Sequence, residues 1–262
     1  MTALIAAEWL KLRSLRSTWW TLGLTALTVI VGAAMSAREE YANFPRLSPQ
    51  QQLEHGFALS DAFPLMAYLI LLVIAASSGA ATMVSEYGSG LIRVTLVAVP
   101  ARSRVLLAKV IVVAAAWTVT GVCGAAGGFA VSQWILSGRD ANAALSDPGT
   151  LTALAGATLV APVAALIGLG IAVLLRHGGA SYVAAIVLLV LVPQLFTAKQ
   201  HPGAEIRHTM VLSAWQRLTE AYGPPQFLGD TYPPAAEAWL AYLCWPLAFL
   251  SAAFLVFRRR DA

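Results

Sequence analysis

Long apolar runs alternate with short polar segments along the whole chain. A helix needs roughly 20 apolar residues to cross about 30 Å of hydrocarbon. Runs that approach this length cover residues 19–35, 62–84, 110–136, 151–175, 180–198 and 235–257. Prolines inside such runs are tolerated because neighbouring helices satisfy the freed carbonyl groups; these are Pro64, Pro162, Pro193 and Pro246. The pattern predicts an all-α integral membrane domain over residues 19–257 with six transmembrane helices.

The segment before the first run, residues 1–18, has an amphipathic pattern. Its apolar residues recur at helical spacing and basic residues lie between or after them: Ile5, Trp9 and Leu12, with Lys11, Arg13 and Arg16. Such a helix would lie in the membrane interface, although a basic flank that only sets topology would look similar. A cleaved signal peptide fits less well, because Trp19 and Trp20 open the first run as an interface anchor would. Residues 258–262 predict a short basic tail.

Composition and charge give the orientation. Hydrophobic residues make up 58% of the 262 residues and charged residues 11%, against roughly 45–50% and about 25% in soluble domains. With the N-terminus inside, eleven basic residues are inside, namely Lys11, Arg13, Arg16, Arg93, Arg102, Arg104, Lys109, Arg176, Arg258, Arg259 and Arg260, and six are outside, namely Arg38, Arg46, Arg139, Lys199, Arg207 and Arg217. Since short inner loops are enriched in Lys and Arg, we expect a multi-pass protein of the plasma (inner) membrane with both termini in the cytoplasm. The basic charge then reflects topology and anionic lipid and does not indicate nucleic-acid binding.

Several kinds of chemistry lack support in the sequence. No G-x-x-x-x-G-K-[ST] phosphate loop occurs, so we expect no ATPase activity from this chain and no nucleotide bound by it. The four histidines lie in polar segments and the two cysteines lie far apart in apolar runs, so we expect no metal site. The interiors of the apolar runs also lack the ionisable residues that ion-driven transporters use. Energy for any uphill transport would have to come from another protein.

Two further patterns concern helix packing and the last polar segment. Gly124 and Gly128 have the small-xxx-small spacing that lets helices approach closely, either within one subunit or between subunits. In residues 199–234, apolar residues recur near a period of 3.6 and predict a surface or re-entrant helix on the outer side; they are Ile206, Met210, Leu212, Trp215, Leu218 and Tyr222.

The polar segment between the second and third runs reads VSEYGSGLIRVTLVAVPARSRVLLAK, residues 84–109. Gly88 and Gly90 allow a sharp turn, Ser89 can cap a helix, and Pro100 should end that helix. The predicted helix has an apolar ridge made of Leu91, Ile92, Thr95 and Leu96. This ridge could lie against the lipid headgroups or in a groove of a partner protein.

This segment resembles the first cytoplasmic loop of type-2 ABC exporter permeases (the ABC-2 type). In that family an acidic residue leaving the second span precedes a glycine-containing turn, a short helix, a proline and a basic entry to the third span. The matching residues are Glu86, Gly90, Leu91, Ile92, Leu96, Pro100, Arg102, Arg104 and Lys109. The sequence EWLKLRSLRSTWW, residues 8–20, is similar to the family's elbow helix, and FRRRDA, residues 257–262, is similar to the endings of bacterial members.

The resemblance implies a permease that works with a separate cytosolic ABC ATPase, which binds ATP and Mg, and with a second permease subunit, identical or paralogous. It would export a hydrophobic or amphipathic substrate such as a drug, an antibiotic peptide or a lipid. The residues implied in coupling to the ATPase are Glu86, Tyr87, Gly88, Gly90, Leu91, Ile92, Arg93, Thr95 and Leu96. Glu86 and Arg93 could be contacts to the ATPase or clamps within the hinge. The alternative is a membrane scaffold or sensor subunit that recruits a cytosolic partner without transport.

Overall fold

The computed structural model describes residues 1–46, 59–99, 101–139, 142–196, 202–219 and 233–259, and these contain helices and no β-strand. The α-helices are α1 (Thr2–Ser14), α2 (Arg16–Asn43), α3 (Leu59–Ala62), α4 (Leu65–Gly88), α5 (Leu91–Ala98), α6 (Arg102–Leu136), α7 (Thr150–Leu175), α8 (Gly178–Ile186), α9 (Gly203–His208), α10 (Val211–Leu218) and α11 (Ala235–Arg259). Pro100, most of the 199–234 segment and the tail from residue 260 lie outside the described residues.

Within the described residues, six helical stretches are long and apolar enough to cross a membrane, which confirms the predicted six-span, all-α architecture. They are Arg16–Arg46, Leu59–Gly88, Arg102–Arg139, Thr150–Leu175, Gly178–Leu195 and Ala235–Arg258. Several extend beyond the apolar runs, because the helical backbone continues into polar flanks. Helix α6 alone has 35 residues, or about 52 Å at 1.5 Å per residue, so it projects well beyond about 30 Å of hydrocarbon.

Two of the four prolines that were predicted to lie inside transmembrane helices do not lie within an α-helix. Pro64 lies just before α4, where its fixed φ does not interrupt any helix. In the fifth span, α8 ends at Ile186 and continues as a π-helical turn, Val187–Leu191, and a 3₁₀ turn, Val192–Leu195, that contains Pro193. Pro193 has no N–H to donate to the preceding turn, so one α-helical hydrogen bond is missing in this part of the span. Pro162 and Pro246 do lie inside helices.

Helix α7 is the centre of the bundle. It packs against α4, α6, α8, α10 and α11, and most of its side chains are buried. Small residues make this crowding possible, because a Cβ on Gly79 would lie 1.9 Å from the backbone oxygen of Ala165, and one on Gly168 would lie 2.0 Å from that of Ala76. Helices α4 and α7 thus touch backbone to backbone at two reciprocal points.

The glycine pair of α6 packs inside the chain. A Cβ on Gly124 would meet Val29 at 3.4 Å, and one on Gly128 would meet Ala33 at 3.3 Å. Val29 and Ala33 both belong to α2, which is the helix that α6 contacts most extensively. This small-xxx-small motif therefore joins two spans of the same subunit.

Replacing Gly79 with alanine should destabilise the bundle strongly. The added methyl group would collide with backbone atoms of Ala165, which cannot rotate away, so we expect a loss of at least the roughly 1–3 kcal/mol that overpacked cores lose. Thermal unfolding in detergent measures the effect. Gly23→Ala is the matched control, since nothing lies within 4 Å of a Cβ there; equal unfolding temperatures for the two variants would contradict the close α4–α7 contact.

The described part of the last polar segment is more buried than a surface helix would be. It forms α9 and α10, which are separated by a short break at Thr209 and Met210. In α10, the Trp215 side chain is fully buried and its ring stacks on Tyr68 with 4.7 Å between centroids. This helix is therefore folded into the bundle between α7 and α11.

Candidate functional site at the basic end of the bundle

The N-terminal segment is two helices. Helix α1 ends at Ser14, Leu15 has an extended backbone (φ −89°, ψ 112°), and α2 begins at Arg16. The predicted single segment of residues 1–18 is thus broken at Leu15, and Trp9 packs edge-to-face on Trp19 across the break, with ring centroids 6.3 Å apart. Helix α1 lies against α6. Ile5 and Leu12 are half-buried, whereas Trp9, Arg13 and Arg16 are exposed.

Four charged side chains close a ring where α1 meets the ends of α4 and α6. Lys109 Nζ donates to Glu8 Oε2 at 2.5 Å and to Glu86 Oε1 at 2.9 Å. Lys11 Nζ donates to Glu8 Oε1 at 2.7 Å and to the same Glu86 Oε1 at 2.9 Å. Each lysine thus bridges both carboxylates. We call these four residues the charge ring, and the end of the bundle that carries them, with Arg93, Arg102 and Arg104, the basic end.

The charge ring is shielded from solvent. Glu8, Glu86 and Lys109 are each less than 10% exposed, and only Lys11 reaches the surface. Burial raises the pKa of Glu8, but Lys109 and Lys11 outweigh it, and the pKa lies below its ordinary value. Burial lowers the pKa of Lys11, but its hydrogen bonds to Glu8 and Glu86 raise it above the ordinary value. Glu8 and Lys11 therefore stay charged at neutral pH.

The ring fastens three helices that lie far apart in sequence, because its members come from α1, α4 and α6. Removing one charge from such a buried set leaves its partners uncompensated, which is costly in a region of low polarity. Glu86 has one further property. Its Oε2 is buried and accepts no hydrogen bond from any side chain or backbone group in the described part of the chain.

The turn after α4 depends on one glycine. Gly90 adopts a left-handed conformation (φ 69°) directly before α5, and a side chain would be strained there. Gly88 remains in the last turn of α4, with no positive φ. Ser89 does not cap α5, since its hydroxyl donates to the carbonyl of Ser85 instead. The predicted turn is thus made by Gly90. Gly88 does not form part of the turn, and Ser89 does not cap the next helix.

Helix α5 has two apolar sides. On the inward side Ile92 is 3% exposed and Leu96 packs against the core of the bundle. On the outward side Leu91, Val94 and Val97 are 41%, 66% and 83% exposed. The predicted ridge is therefore split, and the apolar surface that is open for contact runs along Leu91, Val94 and Val97. We call this set the outward face of α5.

The remaining residues of the predicted coupling set lie around this helix. Arg93 is exposed and has no ion pair with any described residue, whereas Glu86 is paired with Lys11 and Lys109. Thr95 donates from its hydroxyl to the carbonyl of Leu91 inside α5. The Tyr87 ring lies under the guanidinium of Arg176, 5.4 Å from its centroid, which ties the end of α4 to the end of α7.

A cavity of about 810 Å³ adjoins the charge ring. Its walls come from α1, the start of α2, α4, Leu91 of α5, α6 and Tyr182 of α8. Hydroxyl groups are frequent in this wall, and they include Thr21, Ser77, Ser78, Thr82 and Ser85. The basic end thus combines an anchored short helix, a buried ring of charges and a cavity in one region.

A comparison with protein families decides the identity of the chain. The family model described as ABC-2 family transporter protein matches residues 4–194, which include most of α1, the charge ring, α5, the first four spans and nearly all of the fifth. The chain belongs to the ABC-2 transporter family. No curated protein matches it individually.

Membership and the six spans establish a multi-pass permease of the plasma membrane, the membrane subunit of an ABC exporter. A permease of the ABC-2 family is a transport subunit and not itself an ATPase, and the family in general works with an ABC ATPase partner.

Sequence reasoning missed three members of the charge ring. Glu8 occupies the face of α1 shared by Ile5 and Leu12, three residues after one and four before the other. An acidic residue on the buried side of a helix requires a cation nearby, and this signal could have pointed to a lysine. Lys11 and Lys109 were counted as charges that set topology, whereas both hold carboxylates within the chain.

Proposed function

We propose that α5 is the element through which a cytosolic ABC ATPase drives this permease, with the outward face of α5 docked in a groove of the ATPase. The observation that carries the proposal is the split of the helix into a fixed side and an open side. Val97 is 83% exposed and Val94 66%, while Ile92, on the same short helix, is 3% exposed. An apolar face on an anchored amphipathic helix is suited to a groove in a protein partner.

The charge ring gives this docking a route into the membrane. A force on α5 reaches α4 through the turn at Gly90, and Glu86 lies one turn before that point. Glu86 is held by Lys109 of α6 and Lys11 of α1. A shift of α5 would therefore move α1, α4 and α6 together, because separating them would leave buried charges unpaired.

The exporter would contain two permease subunits and two ATPase subunits and would alternate between inward and outward access. The second permease could be a copy of this chain or a paralogue. The substrate would be a hydrophobic or amphipathic molecule that travels along the interface between the permeases; this chain exposes many large apolar side chains that could line such a path. Lipid would cover the rest of that surface.

The direct test is co-purification. The tagged chain, extracted in mild detergent from cells that also express its ABC ATPase, should retain the ATPase. ATP hydrolysis should be absent from the permease alone and present in the complex. A chain that retains a cytosolic protein without an ATPase, and that supports no ATP-dependent efflux from vesicles, would favour the scaffold or sensor function.

Orientation can be tested with two cysteines at opposite ends of α6. Ser103 and Ser137 are both exposed, and the exposed native cysteines, Cys123 and Cys244, are first replaced by alanine. With the basic end in the cytoplasm, Ser137→Cys should react with an impermeant maleimide on intact cells, and Ser103→Cys only after the membrane is opened. Reversed labelling would place the basic end outside, away from any cytosolic ATPase.

A further inference from the structure

The cavity beside the charge ring has a graded lining. Along α4 its wall runs from Val73 to Ser89, about 24 Å at 1.5 Å per residue. On α4 the deep end is apolar, with Val73 and Ile74, and on α6 the wall is apolar at Val112 and Val113, about one turn beyond Lys109. Hydroxyl groups follow toward the basic end, and the charge ring comes last. A molecule aligned with this lining would have an apolar body toward the middle of the membrane and a polar head at the membrane surface.

The size and the entrance also suit such a molecule. A volume of about 810 Å³ lies within the range of roughly 300–1,000 Å³ that small-molecule sites occupy. The lining at the basic end includes three exposed residues, namely Leu15 between α1 and α2, Ser17 of α2 and Ser85 of α4. An amphipathic molecule could therefore enter with its head at the surface.

The charge ring favours a head that carries no charge. Its two lysines and two glutamates sum to zero, and every ammonium group already bridges two carboxylates. An added ammonium or carboxylate would meet two like and two opposite charges, and the opposite charges are already paired within the ring, so a charged head would lose its hydration without gaining a free partner. A hydroxyl group brings no net charge and can donate a hydrogen bond.

Glu86 supplies the matching acceptor. It lines the cavity, it is 4% exposed, and its Oε2 has no donor among the described residues. The terminal torsion of a glutamate is soft, so the carboxylate can turn toward a donor in the cavity. A hydrogen bond to a charged acceptor is stronger than one between neutral groups.

We infer that the cavity between α1, α4 and α6 is a binding site for an uncharged amphipathic molecule whose hydroxyl head donates to Glu86. The site lies inside one subunit, so it is distinct from a path along the interface between two permeases. It requires neither transport nor the ATPase. The hydroxyl head could belong to a free single-chain amphiphile or to a membrane lipid such as a diacylglycerol.

The experiment uses photoreactive probes on the full chain, without ATPase, in phosphatidylcholine nanodiscs. Three probes share one diazirine-bearing alkyl chain and differ in the head, which is a hydroxyl, a trimethylammonium or a carboxylate. Mass spectrometry of the labelled peptides should place the alcohol probe on α4 near Val73 and on α6 near Val112. Its labelling should exceed that of the other probes about tenfold, the effect of one hydrogen bond to a charged group.

Two variants test the site. Ala81 lines the cavity, so Ala81→Phe should fill it and abolish the labelling, while Val119→Phe, at a position 63% exposed on α6, should leave it unchanged. Glu86→Gln should reduce the alcohol's advantage, because a neutral amide oxygen is a weaker acceptor. If Glu86→Gln does not fold, Ala81→Phe decides.

A diacylglycerol probe with the same chain identifies the source of the head. Labelling by this probe as well as by the alcohol would identify a lipid site, and labelling by the alcohol alone a site for a free amphiphile. Equal labelling by all three heads, preference for a charged head, or unchanged labelling in Ala81→Phe would overturn the inference. Because the ATPase is absent from the assay, none of these results bears on docking through α5.

Discussion

Lys109→Met should destabilise the basic end of the permease by about 3–5 kcal/mol, the usual cost of removing one partner from a buried ion pair. Lys109 Nζ bridges Glu8 and Glu86, and its side chain is 5% exposed. Without it, two buried carboxylates share only the partly exposed Lys11. A fall in the unfolding temperature in detergent, together with faster proteolysis of α1, would measure this loss.

Two controls separate the charge ring from a general effect of losing a cation. Arg104→Met removes an exposed charge at the same end and should cost no more than the roughly 0–1 kcal/mol that surface charges contribute. The double variant Lys109→Met with Glu8→Gln should be less unstable than the two single effects added together, since it removes an attracted pair. Strict additivity would mean that Glu8 and Lys109 do not act as partners.

Val97→Asp should disconnect the permease from its ATPase while leaving the permease folded. Val97 is 83% exposed, so an aspartate there is harmless in the free subunit. In a docked complex the same charge would be buried without a partner, at a cost of about 3–5 kcal/mol. Binding should therefore weaken by about two to four orders of magnitude. The measurements are co-purified ATPase and ATP-dependent efflux from vesicles.

Position and charge can be controlled independently in this experiment. Val97→Met keeps the face apolar and should retain the ATPase. Ser103→Asp adds the same charge at an exposed site at the start of α6, where the helix dipole favours an acidic residue. Leu96→Asp is a less clean probe, because Leu96 packs against the core and the variant would disturb the permease itself. Full retention of ATPase by Val97→Asp would remove the outward face of α5 from the interface.

The sequence was sufficient for the architecture because hydrocarbon imposes a length on every span. The apolar runs located all six helices, and their ends were less certain where polar residues continued a helix beyond the membrane, as in α6 between Arg102 and Lys109. The break in the fifth span was not predicted, because Pro193 was expected to be tolerated within a continuous helix. The burial of α10 could not be predicted from the helical spacing of its apolar residues. An amphipathic pattern shows that one side of a helix is apolar, but it does not show what surrounds the polar side.

At the basic end, the local sequence pattern predicted a short helix between the second and third spans, but it did not predict which residues of that helix face the bundle. Helix α5 has apolar residues on both sides; Leu96, which was predicted as a contact to the ATPase, packs against the core, and Val97 is the more open position. Lys109 looked like an ordinary basic flank because its partners lie 23 and 101 residues away. Contacts at such separations are set by the packing of whole helices, which a single sequence does not reveal.

The two backbone contacts between α4 and α7 have a mechanical consequence. Helices slide past one another when a layer of side chains separates them, but Gly79 and Gly168 remove that layer and set each backbone against the other. Sliding would drive a carbonyl oxygen of one helix into the Cβ of the next residue on the other helix, so these contacts resist sliding of α4 along α7. A tilt that begins in α4 is therefore carried by α7 without slip, and α7 contacts four of the other five spans. Flexibility must therefore come from places without such backbone contacts, such as the single extended residue Leu15 between α1 and α2.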